Sequence, residues 1–316
     1  MKTLKFNNGD VMPAIGLGTW KSKPGEVKKA VITALEAGYK HIDCAAIYGN
    51  EKEIGDALKE VFSKGEIKRD EVWITSKLWN NAHLKQDVAP ALEKTLKDLQ
   101  LDYLDLYLVH WPVAFKPDVM MPEGPKDYLS PQEAPIIETW QELNALKNEG
   151  KIKHIGVSNF SVKKLKDLLT KTDAVPEMNQ VELHPLLQQK DLLDYCTSQG
   201  IHLTAYSPLG SGDRSEGMKQ ENEPNMLQNE IVNSIAVKHN ATAGQVLINW
   251  SVARGTAVIP KSTNEGRIKE NLAASNVEFD QEDFTKLASM DAHYRYVTGR
   301  FFEVPEKGYE NIYDEK

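Results

Sequence analysis

The sequence predicts an α/β protein, a (β/α)8 TIM barrel with an N-terminal β-hairpin and long loops at its C-terminal face. Three observations point to it. Short apolar runs alternate with amphipathic helical segments eight times along 316 residues, the pattern of a parallel sheet wrapped by helices. No Pro/Gly/Ser-rich linker divides the units, so residues 1–316 read as a single domain. Two polar segments, 112–135 and 210–225, are far longer than ordinary βα connections, and each follows a predicted strand. That places both on the face where barrel active sites lie.

The elements follow in order. Asn7-Asn8-Gly9-Asp10 separates two short runs within 4–14 and has hairpin-turn chemistry. Strands are predicted to end within 15–18, 41–43, 72–77, 104–110, 155–157, 178–182, 203–206 and 257–259. Between them Ala30, Val31, Ala34 and Leu35 recur at helical spacing up to Gly38, and Ile54, Ala57, Leu58, Val61 and Phe62 do so up to Gly65. The pair Gly16-x-Gly18 lacks the third glycine of the dinucleotide fingerprint and reads as a tight turn. A tail rich in aromatics and charge, from about 293 to 316, is expected to fold over the same mouth as the long loops.

Composition narrows the partners. Hydrophobic residues make up 41% of the chain, enough for a substantial core, and the formal charge of -8 excludes broad phosphate-backbone binding, so no nucleic acid is expected. Cys44 and Cys196 form no disulfide framework and read as reduced thiols, Cys44 as a packed small residue. The N-terminus has no apolar core of signal-peptide length, and nowhere is there the run of about 20 apolar residues that spans a bilayer. The expected location is the cytoplasm, without a membrane partner.

Asp43, Tyr48, Lys77 and His110 each fall at or just beyond the end of a separate predicted strand. Strand alternation puts His110 on one face with Leu104, Leu106 and Leu108, and Lys77 on one face with Thr75 and Trp73. If those faces point inward, imidazole and ammonium meet at the barrel mouth. A Lys77–Asp43 ion pair beside Tyr48 is then expected to lower the phenol from its reference value of about 10. A phenol that donates a proton, a pair that tunes it and an imidazole that orients a carbonyl are equipment for reducing an aldehyde or ketone. A metal reading competes: Glu182 and His184 share a strand face, and with His110 and Asp43 they form a carboxylate–imidazole set of the kind that holds divalent ions. Lys77 sets a positive charge inside that site, and no metal is assigned.

The segments Gly16-Leu17-Gly18-Thr19-Trp20, Gly38-Tyr39-Lys40-His41-Ile42-Asp43-Cys44-Ala45, Ile47-Tyr48-Gly49-Asn50-Glu51, 101–112, Gly156-Val157-Ser158-Asn159-Phe160, Asn179-Gln180-Val181-Glu182, Tyr206-Ser207-Pro208-Leu209-Gly210 and Ile259-Pro260-Lys261-Ser262 cover nearly every βα unit. Through them the chain resembles the aldo-keto reductases from end to end, and within that family the aldehyde and aldose reductases most. The resemblance implies a barrel that binds a nicotinamide cofactor without a Rossmann domain. It implies Tyr48 as general acid, Lys77 and Asp43 as its tuning pair, and His110 as the group that orients the carbonyl. Relatives that reduce a steroid double bond carry glutamate at the His110 position, so carbonyl reduction is favoured.

Cofactor residues follow partly from chemistry and partly from the resemblance. Ser158, Asn159 and Gln180 suit a carboxamide, and Tyr206 offers a face for a nicotinamide ring. The resemblance adds Thr19, Trp20, Asp43, Ser207 and Leu209. Lys261, Ser262, Thr263 and Arg267 surround an expected helix start, with Glu270 and Asn271 one turn on. Two cations, hydroxyls and a helix N-terminus suit a phosphomonoester, which favours NADPH and leaves NADH as the weaker alternative. Asn264 departs from the threonine or valine of many relatives, which bears on strictness for NADPH. Trp20, Tyr48, Trp79, His110 and Trp111 predict an aromatic-walled substrate pocket for aldehydes and the open forms of sugars. Arg295 or Arg300, if either reaches it, would favour carboxylated substrates; otherwise both are surface arginines. A monomer is expected from the resemblance alone. The alternative is a nucleotide-binding regulatory or structural relative with little turnover, against which the intact tetrad argues.

Overall fold

The computed structural model describes residues 2–214 and 216–315. Met1, Ser215 and Lys316, which fall within the expected domain, second long segment and tail, lie outside the described residues. The strands are β1 (Thr3–Lys5), β2 (Val11–Pro13), β3 (Leu17–Gly18), β4 (His41–Asp43), β5 (Trp73–Leu78), β6 (Leu104–Val109), β7 (Ala114–Phe115), β8 (Tyr128–Leu129), β9 (Ile152–Ser158), β10 (Met178–Glu182), β11 (His202–Tyr206) and β12 (Ala257–Val258). The helices are α1 (Glu26–Glu36), α2 (Glu51–Ser63), α3 (Lys85–Leu99), α4 (Ile136–Asn148), α5 (Val162–Leu169), α6 (Lys190–Ser198), α7 (Glu230–Lys238), α8 (Ala243–Ala253), α9 (Glu265–Leu272) and α10 (Gln281–Ala288).

Eight strands form one parallel sheet in the order β3-β4-β5-β6-β9-β10-β11-β12. Parallel bridges Ile15–Val258 and Gly18–Lys261 then join its two edges and close the barrel. All eight predicted strand positions are occupied. Gly16 and Gly18 correct the tight-turn expectation: they run along this seam, where a Cβ on Gly18 would stand 2.7 Å from the Ile259 carbonyl oxygen. The segment 112–135 is likewise no plain loop, because β7 and β8 pair within it as a small antiparallel hairpin.

Strand alternation divides the core. Ile42, Ile74, Tyr107, Val109 and Val181 pack outward against helix faces such as Val27, Val31, Leu35, Leu92 and Leu165. Leu106, Leu108, Trp73, Met178 and Ala257 form a separate cluster with Leu4, Phe6 and Met12 from the N-terminal hairpin. The β1–β2 hairpin therefore plugs the end of the barrel opposite the strand C-termini and leaves that other end to function.

A buried histidine ties the plug down. His154 on β9 has its two ring nitrogens 2.7 Å from Glu177 Oε1 and 2.9 Å from Asp10 Oδ2, and its ring lies against Phe6 and Trp73. The hydrogen bond from His154 holds the Asp10 carboxyl below its ordinary range. Burial works to raise Glu177, and its bonds from His154 and Lys147 outweigh burial and hold it low as well. Carboxyls depressed in the fold contribute stability above their unfolded values, near 3.9 and 4.3, and lose it as pH falls through the folded values. The melting temperature is thus expected to fall more steeply below about pH 4.5 in the parent than in His154→Phe, which removes the histidine bond from both carboxyls and leaves Glu177 its bond from Lys147. Parallel Tm-versus-pH curves for the two proteins would remove this account.

Candidate active site

The sequence places the four polar residues at the strand C-termini, and the fold brings them together. Asp43 is the last residue of β4, Lys77 lies near the end of β5, His110 directly follows β6, and Tyr48 closes a 3-10 turn, Ala46–Tyr48, just past β4. Lys77 is 0% exposed and Asp43 1%. The Lys77 ammonium donates to Asp43 Oδ1 at 2.5 Å, to the Cys44 carbonyl at 2.8 Å and to the Tyr48 hydroxyl at 3.3 Å. Gln180 on β10 donates to the other Asp43 oxygen at 2.7 Å. The Tyr48 and His110 rings stand edge-to-face, with centroids 5.8 Å apart.

Electrostatics assign a protonation state to each. Burial alone would depress Lys77, but Asp43 and Tyr48 outweigh it and hold the ammonium above its ordinary range. Burial, aided by the Lys77 charge, lowers His110 well below its usual value, so the imidazole is neutral. Tyr48 corrects the expectation of a net lowered phenol: burial pushes it up to about 12, and Lys77 opposes burial without overcoming it. The ammonium lies closer to Asp43 than to the phenol, which limits its pull. At neutral pH the site therefore holds a protonated phenol beside a cation and a neutral imidazole.

Around this group opens a cavity of about 450 Å³. Trp20, Tyr48, Trp79, His110 and Trp111, the expected aromatic wall, all line it, as do Thr19, Asp43, Ser158, Asn159, Gln180, Tyr206, Ser207, Leu209 and Lys261. Asn159 takes a left-handed backbone conformation, φ 63°, and its amide joins three strand ends. It donates to the His110 carbonyl at 3.0 Å and to Ser158 Oγ at 3.2 Å, and accepts from the Tyr206 hydroxyl at 2.8 Å. Ser262, Thr263, Arg267, Glu270 and Asn271 do not line this cavity; they follow β12 onto α9. Ser262 Oγ accepts from the Asn264 N–H, and Glu270 accepts from Thr242 at the start of α8. Asn264 is the N-cap of α9, its side chain accepting the Arg267 N–H at 3.0 Å.

The tail does fold over the mouth. Val297, Phe301 and Phe302 line the cavity, Phe302 packing edge-on against Trp111. Neither Arg295 nor Arg300 reaches it. Arg300 is exposed, as the surface reading has it, whereas Arg295 is buried, stacked 3.6 Å from the Tyr313 ring centroid and paired with Glu315. Both oxygens of Glu182 accept hydrogen bonds, one of them from His184. Among the described residues no three His, Cys, Asp or Glu converge as a metal would require.

Two residues escaped the sequence reading. Lys21 extends over Trp20, 4.0 Å from the ring centroid, and its buried ammonium has no hydrogen-bond partner among the described residues. Burial lowers it to about 8, against the pull of Asp213 and with the push of Arg214 and Lys261. Its position beside Trp20 is the one signal the sequence offered. Glu51, 5% exposed at the start of α2, accepts from Ser76 at 2.5 Å and from Thr95 at 3.1 Å. It thereby fixes the segment that follows Tyr48 to the strand that carries Lys77.

Comparison with known proteins identifies the family. The model of the Aldo/keto reductase family matches residues 14–292. The chain belongs to that family. It is 52% identical to an aldo/keto reductase of Synechocystis sp., covering 100% of this chain and 97% of that protein. It is 45% identical to human aldo-keto reductase family 1 member A1, over 92% and 90% of the two chains. In three dimensions it matches the aldose reductase of Schistosoma japonicum with a TM-score of 0.89 at 37% identity, covering 100% and 99%. The protein is thus an oxidoreductase of the aldo/keto reductase family, whose members act on small carbonyl compounds with a nicotinamide cofactor. Among the described residues no helix is long and apolar enough to cross a membrane.

Proposed function

We propose that the protein reduces aldehydes, open-chain sugars included, and some ketones to alcohols with NADPH, Tyr48 acting as general acid. The observation that carries this is the meeting of the Tyr48 phenol, the buried Lys77–Asp43 pair and a neutral His110 on one wall of an aromatic cavity. When bound, the reduced nicotinamide supplies the hydride. Tyr48 gives its proton to the carbonyl oxygen, and His110 offers an N–H that holds this oxygen in line. Ser158, Asn159 and Gln180 present amides and a hydroxyl to a carboxamide, and Tyr206 presents a ring face beside them. The aromatic walls exclude water from the proton transfer.

The donor set fits a phosphate-bearing cofactor. Lys21 has a buried ammonium without a hydrogen-bond partner among the described residues, Lys261 lines the cavity and pairs with Asp213, and Arg267 lies in the first turn of α9. These cations, with the helix N-terminus, favour the NADPH 2′-phosphate over NADH. Asn264 already occupies the Arg267 N–H, one of the free donors of that terminus, and this tempers the preference.

The test is loss of NADPH absorbance with a panel of aldehydes, sugars and ketones. The parent is expected to turn over several of them. Removal of one charge-assisted contact in Lys261→Ala or Arg267→Ala is expected to raise KM for NADPH roughly 10- to 100-fold and to leave KM for NADH nearly unchanged. Equal effects on both cofactors would remove the 2′-phosphate assignment. Tight NADPH binding without turnover of any carbonyl would overturn the catalytic reading.

A further inference from the structure

The Glu182–His184 pair lies outside the chemistry just described, yet both residues are 0% exposed. Glu182 ends β10, and its carboxylate faces the C-terminal tail. Oε1 accepts the Tyr296 N–H at 2.7 Å and His184 Nε2 at 2.8 Å, while Oε2 accepts the Val297 N–H at 2.8 Å. Two successive backbone N–H groups converging on one carboxylate form an anion nest, here turned toward a residue of the same chain. Burial works to raise the Glu182 carboxyl, and the bond and charge of His184, the charge of Arg295 and the Tyr296 N–H outweigh it, so the group is held below the ordinary carboxylate range.

The two residues so held are not equivalent. Val297 lines the cavity, and its carbonyl accepts from the Tyr313 hydroxyl at 2.9 Å, so it fixes a second stretch of the tail. Tyr296 points the other way and donates to the Pro224 carbonyl at 2.6 Å, in the long connection after β11. Phe301 and Phe302, farther along the tail, continue the wall begun by Val297. One buried carboxylate on the barrel thus anchors the tail-derived side of the cavity without touching it: Glu182 is absent from the cavity lining.

We propose that Glu182 is a specificity-positioning residue, which by accepting the Tyr296 and Val297 N–H groups holds the tail wall of the cavity and so sets the size of carbonyl the site binds well. This rests on the reading of the site as a carbonyl reductase. Glu182→Gln keeps the shape but replaces one accepting oxygen with an NH2 that cannot receive a backbone N–H, and it removes the charge. Loss of a hydrogen bond to a charged group shifts docking of the wall about tenfold or more toward the open state.

The experiment compares parent and Glu182→Gln with a nitrobenzaldehyde, which fills the aromatic cavity, and with propanal, which is too short to need the tail wall. Expected are a KM for the aromatic aldehyde raised about tenfold, kcat and KM for propanal changed less than twofold, an unchanged Kd for NADPH and faster proteolytic cleavage within 293–315. An unchanged KM ratio with a protected tail overturns the proposal. So does an equal loss with both aldehydes, because it would make Glu182 a support of the whole barrel. Should the variant not fold, backbone amide exchange in the parent decides: Tyr296 and Val297 must be slow, and exchange at the rate of an unstructured peptide overturns the anchor. Failure of the parent to turn over either aldehyde would count against the carbonyl-reductase reading instead, and the proteolysis and exchange arms would still test the anchor.

Discussion

Replacing Tyr48 by phenylalanine is expected to lower kcat for aldehyde reduction by about 10²- to 10⁴-fold, the range general-acid catalysis supplies, and to leave the Kd for NADPH within about twofold. The change deletes a single hydroxyl and keeps the ring that stands edge-on to His110. His110 is a poor substitute acid: it is neutral at working pH, so it would have to give up an imidazole N–H rather than an imidazolium proton. The pH dependence follows from the same assignment. With the phenol pushed up to about 12, Tyr48 is protonated across the neutral range. Reduction should therefore be flat from about pH 6 to 9, whereas alcohol oxidation, which needs the tyrosinate as base, should rise with pH. Measuring kcat for both directions in parent and Tyr48→Phe checks this, and a loss below about tenfold in the variant would assign the proton to another group.

The parts of this site legible in the sequence are those set by local periodicity. Period-two alternation correctly turned Lys77 toward Thr75 and Trp73, and His110 toward Leu106 and Leu108, because a strand buried on both faces still has only two directions to offer. What escaped depended on distant segments. Gly16 and Gly18 have the spacing of a turn, and only the fold shows why neither can carry a Cβ: the His41 ring on β4 crowds Gly16, and the Ile259 carbonyl just past β12 crowds Gly18. Arg295 reads as surface because its partners, Tyr313 and Glu315, lie about twenty residues on and meet it only when the tail folds back. The phenol of Tyr48 departs from its expected direction for a different reason. The sequence names the cation that lowers it but gives no measure of the burial that raises it, and the sign of the sum depends on both.

The same balance makes Lys77→Met the more informative second variant, since it is expected to damage stability and turnover separately. Methionine fills much of the lysine volume, so the chief change is electrostatic. Asp43 is then left 1% exposed with, among the described residues, only the Gln180 amide, at 2.7 Å, bonded to its carboxylate. Stranding one partner of a buried pair costs about 3–5 kcal/mol, which denaturant unfolding will resolve. Catalysis should suffer for another reason: without the ammonium nothing counters the burial that raises the phenol, so Tyr48 becomes a weaker acid and kcat falls with little change in the Kd for NADPH. The double variant Lys77→Met with Asp43→Asn separates the effects. Removing the stranded charge should restore most of the stability, as replacement of whole buried pairs often does, while turnover stays low because the phenol remains untuned. Recovery of both together would show that Lys77 serves only to hold Asp43; recovery of stability alone would place its catalytic effect on Tyr48.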